Sequence, residues 1–245
     1  MAGAFLSLQQ LMEAESRSDG PAAVPRDAAT LVLVDRTGPT PKVLLGRRHD
    51  SQKFMPGKFV FPGGSVDPID RVLAARAQLD PRVEARLMRK ARRPSRILAR
   101  ALALAAIRET FEETGILIGV PREHAPASND HEGWAALAER GCVPDLSGLY
   151  FVARAITPPG RSRRFDTRFF TADAAAITFR LDGVVRPDTE LVELVWLPIT
   201  EAARLDMPAI TRVALEGIDA RGALGHDRPV PYYRVLRRQF SHEFL

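Results

Sequence analysis

Cysteine occurs once in the 245 residues, at Cys142, which excludes an intrachain disulfide and a Cys-rich zinc site. The five histidines, His49, His124, His131, His226 and His242, show no ligand spacing. A long apolar run is also missing. The longest stretch free of Asp, Glu, Lys and Arg is Met1 to Met12, well short of the ~20 apolar residues that a membrane span needs. That stretch has no basic segment, and Ser7, Gln9 and Gln10 interrupt its apolar positions, so neither a membrane helix nor a cleaved secretory signal is expected. These absences point to a cytoplasmic protein. Lysine is scarce, with 4 against 31 arginines, a bias throughout the chain that makes arginine content weak evidence for any ligand. What remains, 45% hydrophobic and 27% charged, is the balance of an ordinary globular chain able to bury a core.

The net charge of +5 is local. Residues 71–107 hold ten basic residues against Asp80 and Glu84, a net of +8, which leaves −3 for the rest. Val83, Leu87 and Met88 are interspersed among these arginines, so residues 81–93 read as a lid helix with a solvated basic face. The sharper alternative is a basic rim that attracts polyanions.

Residues 28–34 and 42–48 read as two strands joined at Gly38-Pro39, and residues 58–61 as a third strand stopped by Pro62-Gly63-Gly64. That glycine loop permits close approach by a bound group. From Ser95, a plausible N-cap, the chain runs without Gly or Pro to Thr114, with Gly115 as C-cap, and predicts a helix whose apolar face includes Ile97, Leu98, Ala101, Leu104, Ala105 and Ile107. Strands are expected over 149–156, 168–171 and 191–197, and helices over 200–205 and 210–220; the tail from Arg221, rich in Gly and Pro, yields no assignment. No internal repeat or sharp composition break divides the chain, so one α/β domain (1–245) carrying an insertion (71–107) and a tail (221–245) is expected.

Glu109, Glu112 and Glu113 project from one face of the predicted helix, and Arg108 lies one turn before Glu112. Like charges at that spacing repel unless a cation compensates them. Hard divalent ions take oxygen ligands and share them with phosphate, so the trio beside a glycine loop suits metal-assisted phosphate chemistry. Taken alone, the spacing also suits a solvated acidic helix face.

The surrounding text narrows the choice. FPGG (Phe61–Gly64), Asp70 and RETFEETGI (Arg108–Ile116) together resemble the signature of the Nudix hydrolases, G-x5-E-x7-R-E-U-x-E-E-x-G-U with U aliphatic. Thr110 takes the first aliphatic slot, Asp70 replaces the expected Glu, and residues 71–107 stand where the pattern has seven positions. LLGRR (Leu44–Arg48), QKFMPGKFVFPGGSVDP (Gln52–Pro68) and RRFDTRFF (Arg163–Phe170) further resemble the coenzyme A and acyl-coenzyme A diphosphatase branch, whose members carry a long insertion inside this box. Lys53 stands where that branch has Arg, and His49 where it has a small residue.

The resemblance implies a Nudix fold, an αβα sandwich around a mixed sheet with a helical insertion, and metal-dependent hydrolysis of a nucleoside diphosphate derivative. Coenzyme A or an acyl-coenzyme A is the leading expectation. ADP-ribose, NADH or a nucleoside triphosphate is the alternative, and a non-catalytic nucleotide- or RNA-binding module is a third. It implies Mg²⁺ or Mn²⁺ held by Glu109, Glu113, Glu112 and the carbonyl of Gly63, with Glu112 also activating water and Arg108 orienting the glutamates. Asp70 reads as support for the loop. Glu190 and Glu193 face opposite ways on their predicted strand, and Glu190 is favoured as a further catalytic carboxylate. Substrate contacts are expected from Arg48, Lys53, Gly64, Arg164 and Arg168, with Arg163 beside the last two as a further phosphate contact. The expected partner is a small nucleotide-type molecule rather than nucleic acid or membrane, and a homodimer is left open.

Overall fold

The computed structural model describes residues 23–73, 78–121, 134–135, 139–161, 163–219, 228–236 and 239–245. The charge-free N-terminus, Arg76, His124, His131 and His226 lie outside them. Among the described residues, β1 (Arg26–Asp35), β2 (Lys42–Arg48), β3 (Phe59–Val60), β4 (Gly63–Ser65), β7 (Tyr150–Ile156), β8 (Phe165–Asp173), β10 (Leu191–Pro198), β11 (Pro231–Leu236) and β12 (Gln239–Phe244) form one sheet. Its main order is β10-β2-β1-β8-β7-β11-β12, with β3 on β2 and β4 on β1. The sheet is mixed: β1 runs parallel to β8 and β11 parallel to β7, whereas the remaining pairs are antiparallel. A second sheet joins β5 (Ile116–Pro121), β6 (Cys142–Pro144) and β9 (Ile177–Arg180).

Strand β1 is buried on both sides because helices cover both faces, and so it reads as a continuous apolar run rather than an alternating one. On one face, Ala29, Leu31, Leu33 and Leu44 pack against the helix Arg96–Thr114, here α3. On the other, Val32, Val34, Val43, Leu45 and Phe169 pack against α4 (Ile199–Ala202) and α5 (Ala209–Asp219). This is the αβα sandwich around a mixed sheet.

Helix α3 is capped as its sequence requires, with Ser95 accepting the amide of Leu98 and Gly115 closing the helix at φ 74°. Its burial departs from the expected single apolar face. Ile97 is exposed, while Leu98, Ala99 and the whole run Ala101–Ile107 are buried. The cause is cover from outside: Val83 and Leu87 of α2 (Pro81–Met88), Leu79 and Trp134 join the same core. The insertion therefore docks on the helix through an apolar stripe, with Arg82, Arg89, Arg92 and Arg93 exposed.

Three other segments differ from expectation. The Pro62-Gly63-Gly64 loop continues into β4, which pairs with β1 through Gly63 and Thr30. Residues 165–173 form a strand longer than the expected 168–171 because Arg26 to Val34 offer a parallel partner along its whole length. The unassigned tail supplies the hairpin β11–β12, which extends the sheet beyond β7.

Candidate active site

The C-terminal half of α3 passes over β4, and this crossing brings the carboxylates to the glycine segment. A Cβ on Gly64 would collide with the carboxylate of Glu109, and one on Gly63 would lie 2.5 Å from the carbonyl oxygen of Ala29. Close approach of the backbone requires glycine at Gly63, and at Gly64 the missing side chain leaves room for the Glu109 carboxylate. The amide of Gly63 donates to Glu113 Oε2 at 3.1 Å.

Arg108 is buried and acts as the hub. Its Nε and Nη2 donate to the two oxygens of Asp70, each at 3.0 Å, Nη2 also donates to the carbonyl of Ser65, and Nη1 reaches Glu109 at 3.0 Å and Glu112 at 3.1 Å. Asp70 is itself buried and accepts further bonds from Trp134 Nε1 and the amide of Asp67, where it completes a capping box for α1 (Pro68–Val72). Its contacts are those of a residue supporting the loop. Burial opposes the charge on Arg108, but the bond to Asp70 and the fields of the surrounding carboxylates outweigh it and strengthen the hold on the proton.

The carboxylates move the other way. Burial pushes Glu109 up to about 7 despite the neighbouring Arg108. Glu113 is raised well above the usual carboxylate range, first by burial and then by repulsion from Glu190 and Glu109. Together they form a set of hard oxygen donors with too little positive charge nearby. That chemistry fits a divalent cation, although among the described residues no three His, Cys, Asp or Glu side chains converge in metal-binding geometry as they stand. Instead Glu109 and Glu112 turn toward Arg108, and Glu190 accepts from Arg48 Nη1 at 2.8 Å.

Glu109, Glu113 and Glu190 line a cavity of about 390 Å³ together with Arg48, Gly63 and Gly64. Glu112 is exposed and lies outside the lining. Glu193 points away from it, to Arg47 at 3.3 Å. Three expected substrate contacts fall elsewhere. Lys53 is exposed and does not line the cavity. Arg164 donates to the carbonyls of Thr157 and Ala23, and Arg168 is fully buried against Asp27 and Asp166. Strand parity explains the last: Phe165, Thr167 and Phe169 face the cavity, so residues 166 and 168 face the opposite side of the sheet. Arg163, in the bend before the strand, also lines the cavity, where Arg161, Phe54, Met55, Pro208, Ile210 and Thr211 join it.

Residues 25–206 match the model of a family described as the NUDT19 Nudix domain. The chain belongs to that family. Its relatives include the acyl-coenzyme A diphosphatase NUDT19 of Xenopus laevis, 27% identical over 207 residues that cover 66% of this chain and 53% of that protein. The Homo sapiens protein of the same name is 29% identical over 211 residues, covering 66% and 54%. This Nudix chain thus spans about half the length of these curated relatives. The crystal structure of a Nudix hydrolase from Alicyclobacillus acidocaldarius superposes with a TM-score of 0.59 at 26% identity, covering 84% of this chain and 99% of that one.

Proposed function

We propose that this Nudix domain hydrolyses the diphosphate linkage of coenzyme A or an acyl-coenzyme A in the presence of Mg²⁺ or Mn²⁺, releasing a phosphopantetheine and adenosine 3′,5′-bisphosphate. One observation carries the reading. Glu109 and Glu113 stand half-buried and under-compensated at a cavity whose wall also carries arginines, a pairing that suits a cation together with a polyanion. The names of the relatives support the substrate class.

In this reading Glu109, Glu113 and the carbonyl of Gly63 would hold the cation, joined by Glu112 on turning from Arg108. When bound it supplies positive charge against the diphosphate oxygens and acidifies water for attack on phosphorus. Arg108 sets the positions of Glu109 and Glu112, and Asp70 fixes Arg108. Glu190, steadied by Arg48, lines the cavity where it accepts a proton from the attacking water. The water oxygen ends on one phosphate and the bridging oxygen leaves with the other, so one water yields two monoesters.

The test is a substrate panel of coenzyme A, an acyl-coenzyme A, ADP-ribose and NADH with Mg²⁺ or Mn²⁺, with products resolved by mass spectrometry. Phosphopantetheine or its acyl form is the expected product. Preferential cleavage of ADP-ribose or NADH would overturn the substrate assignment.

A further inference from the structure

Arg161 and Arg163 line the cavity yet make no ion pair or hydrogen bond among the described residues, in contrast to Arg48, which is committed to Glu190 and the carbonyl of Phe54. They sit on the β7–β8 connection, whose base is fastened. Thr157 N donates to the carbonyl of Phe165 at 2.9 Å, Phe165 N donates to Thr157 Oγ1 at 3.1 Å, and Arg164 clamps the carbonyl of Thr157 from the other side. From this connection Arg161, half-buried, and Arg163, exposed, both line the cavity. Phe165, which opens β8, packs edge-to-face on Phe54 with ring centroids 5.8 Å apart, and both residues line the cavity.

We infer that Arg161 and Arg163 form a subsite for a phosphate monoester separate from the diphosphate that is cleaved, with Phe54 and Phe165 as the wall for the attached base. The inference rests on the proposed hydrolysis of coenzyme A and deepens it. Two unpaired cations close in sequence repel each other, and a dianion relieves both. The planar guanidinium fork matches phosphate oxygens two at a time, and a phosphate monoester carries about −1.5 to −2 charge at neutral pH. The cavity is therefore polarised, with carboxylates from α3 and free cations from the β7–β8 connection. A ligand that fits both must offer a cation-bridged diphosphate and a second anionic group. Coenzyme A has this pattern through its ribose 3′-phosphate, whereas ADP-ribose and NADH lack the second group.

The experiment compares kcat/KM for coenzyme A and 3′-dephospho-coenzyme A in wild type, the Arg161→Ala/Arg163→Ala double variant and Arg163→Lys. From the usual strength of charge-assisted bonds, wild type is expected to prefer coenzyme A by about 10- to 100-fold. The double variant brings the ratio near one, and Arg163→Lys, which keeps the charge but not the fork, falls between. A ratio untouched by the double substitution overturns the subsite, whether both substrates decline together or neither does. Calorimetric binding of adenosine 3′,5′-bisphosphate against adenosine 5′-monophosphate separates this from the catalytic reading. If wild type prefers the bisphosphate and the double variant does not, the subsite stands even where neither coenzyme is cleaved. Equal binding of the two nucleotides by wild type overturns it.

Discussion

Asp70 receives four hydrogen bonds in a buried setting, two from Arg108, one from Trp134 and one from the amide of Asp67. Removing it strands a buried guanidinium, so Asp70→Ala should cost about 3–5 kcal/mol of stability, read from denaturant unfolding. Arg108→Lys is a finer probe, because the ammonium keeps the charge and loses the fork that spans Asp70, Glu109 and Glu112. Its expected outcome is a folded protein whose turnover falls by about tenfold or more, given the positioning share of such groups in catalysis. At this scale the helical spacing of Glu109 and Glu113 made their shared face legible before any coordinates. Arg164 and Arg168, expected as substrate contacts beside Arg163, are held by Thr157 and Ala23 and by Asp27 and Asp166, respectively. Along β8, which begins at Phe165, counting by twos turns residue 168 away from the cavity, while Arg163 lines it from the bend before the strand.

Helix α3 and β4 position the site, and each is vulnerable at a glycine. At Gly115, φ is 74° and a Cβ would collide with the carbonyl of Leu181, so Gly115→Ala should destabilise by more than ~1 kcal/mol in thermal or chemical unfolding. Gly64→Ala should act differently. Its Cβ meets only the end of the Glu109 side chain, so the fold holds while the carboxylate is displaced, and Mn²⁺ affinity measured by calorimetry should fall. Long elements with strong local signals were readable, since the Ser95 and Gly115 caps delimit α3 and apolar runs mark β1 and β2. Short strands were not. Gly63–Ser65 and the hairpin Pro231–Phe244 owe their strand geometry to β1 and β7, which are distant in sequence, and their own residues carry no alternating pattern.

At the scale of the whole molecule, the basic insertion is tied down where it leaves α2. Arg154 of β7 donates to the carbonyls of Arg89 and Lys90, and Glu243 of β12 receives both Lys90 and Arg234. The insertion, the sheet and the C-terminal hairpin thus stabilise one another. Charge also sets the pH response. Burial lifts Glu109 to about 7 from 4.5 and raises Glu113 as well, so the folded state keeps protons that the unfolded chain releases. This contribution to stability is full below about pH 4.5 and is lost as pH rises toward about 7. A cation that favours the ionised carboxylates should offset that loss, so Mn²⁺ should raise Tm more at pH 8 than at pH 5.5. Equal shifts at both would speak against a cation on these groups.

The central claim is that the half-buried carboxylates of α3, Glu109 and Glu113, serve metal-dependent cleavage of a coenzyme A diphosphate. It is tested most directly by following phosphopantetheine release from coenzyme A by mass spectrometry, with Mg²⁺ or with chelator, in wild type and in Glu113→Gln. Release that requires the metal and falls at least about 100-fold in the variant is the result expected from losing a charged group that acts on the reacting phosphate. Release that persists in chelator, or that Glu113→Gln leaves at the wild-type rate, would contradict the account.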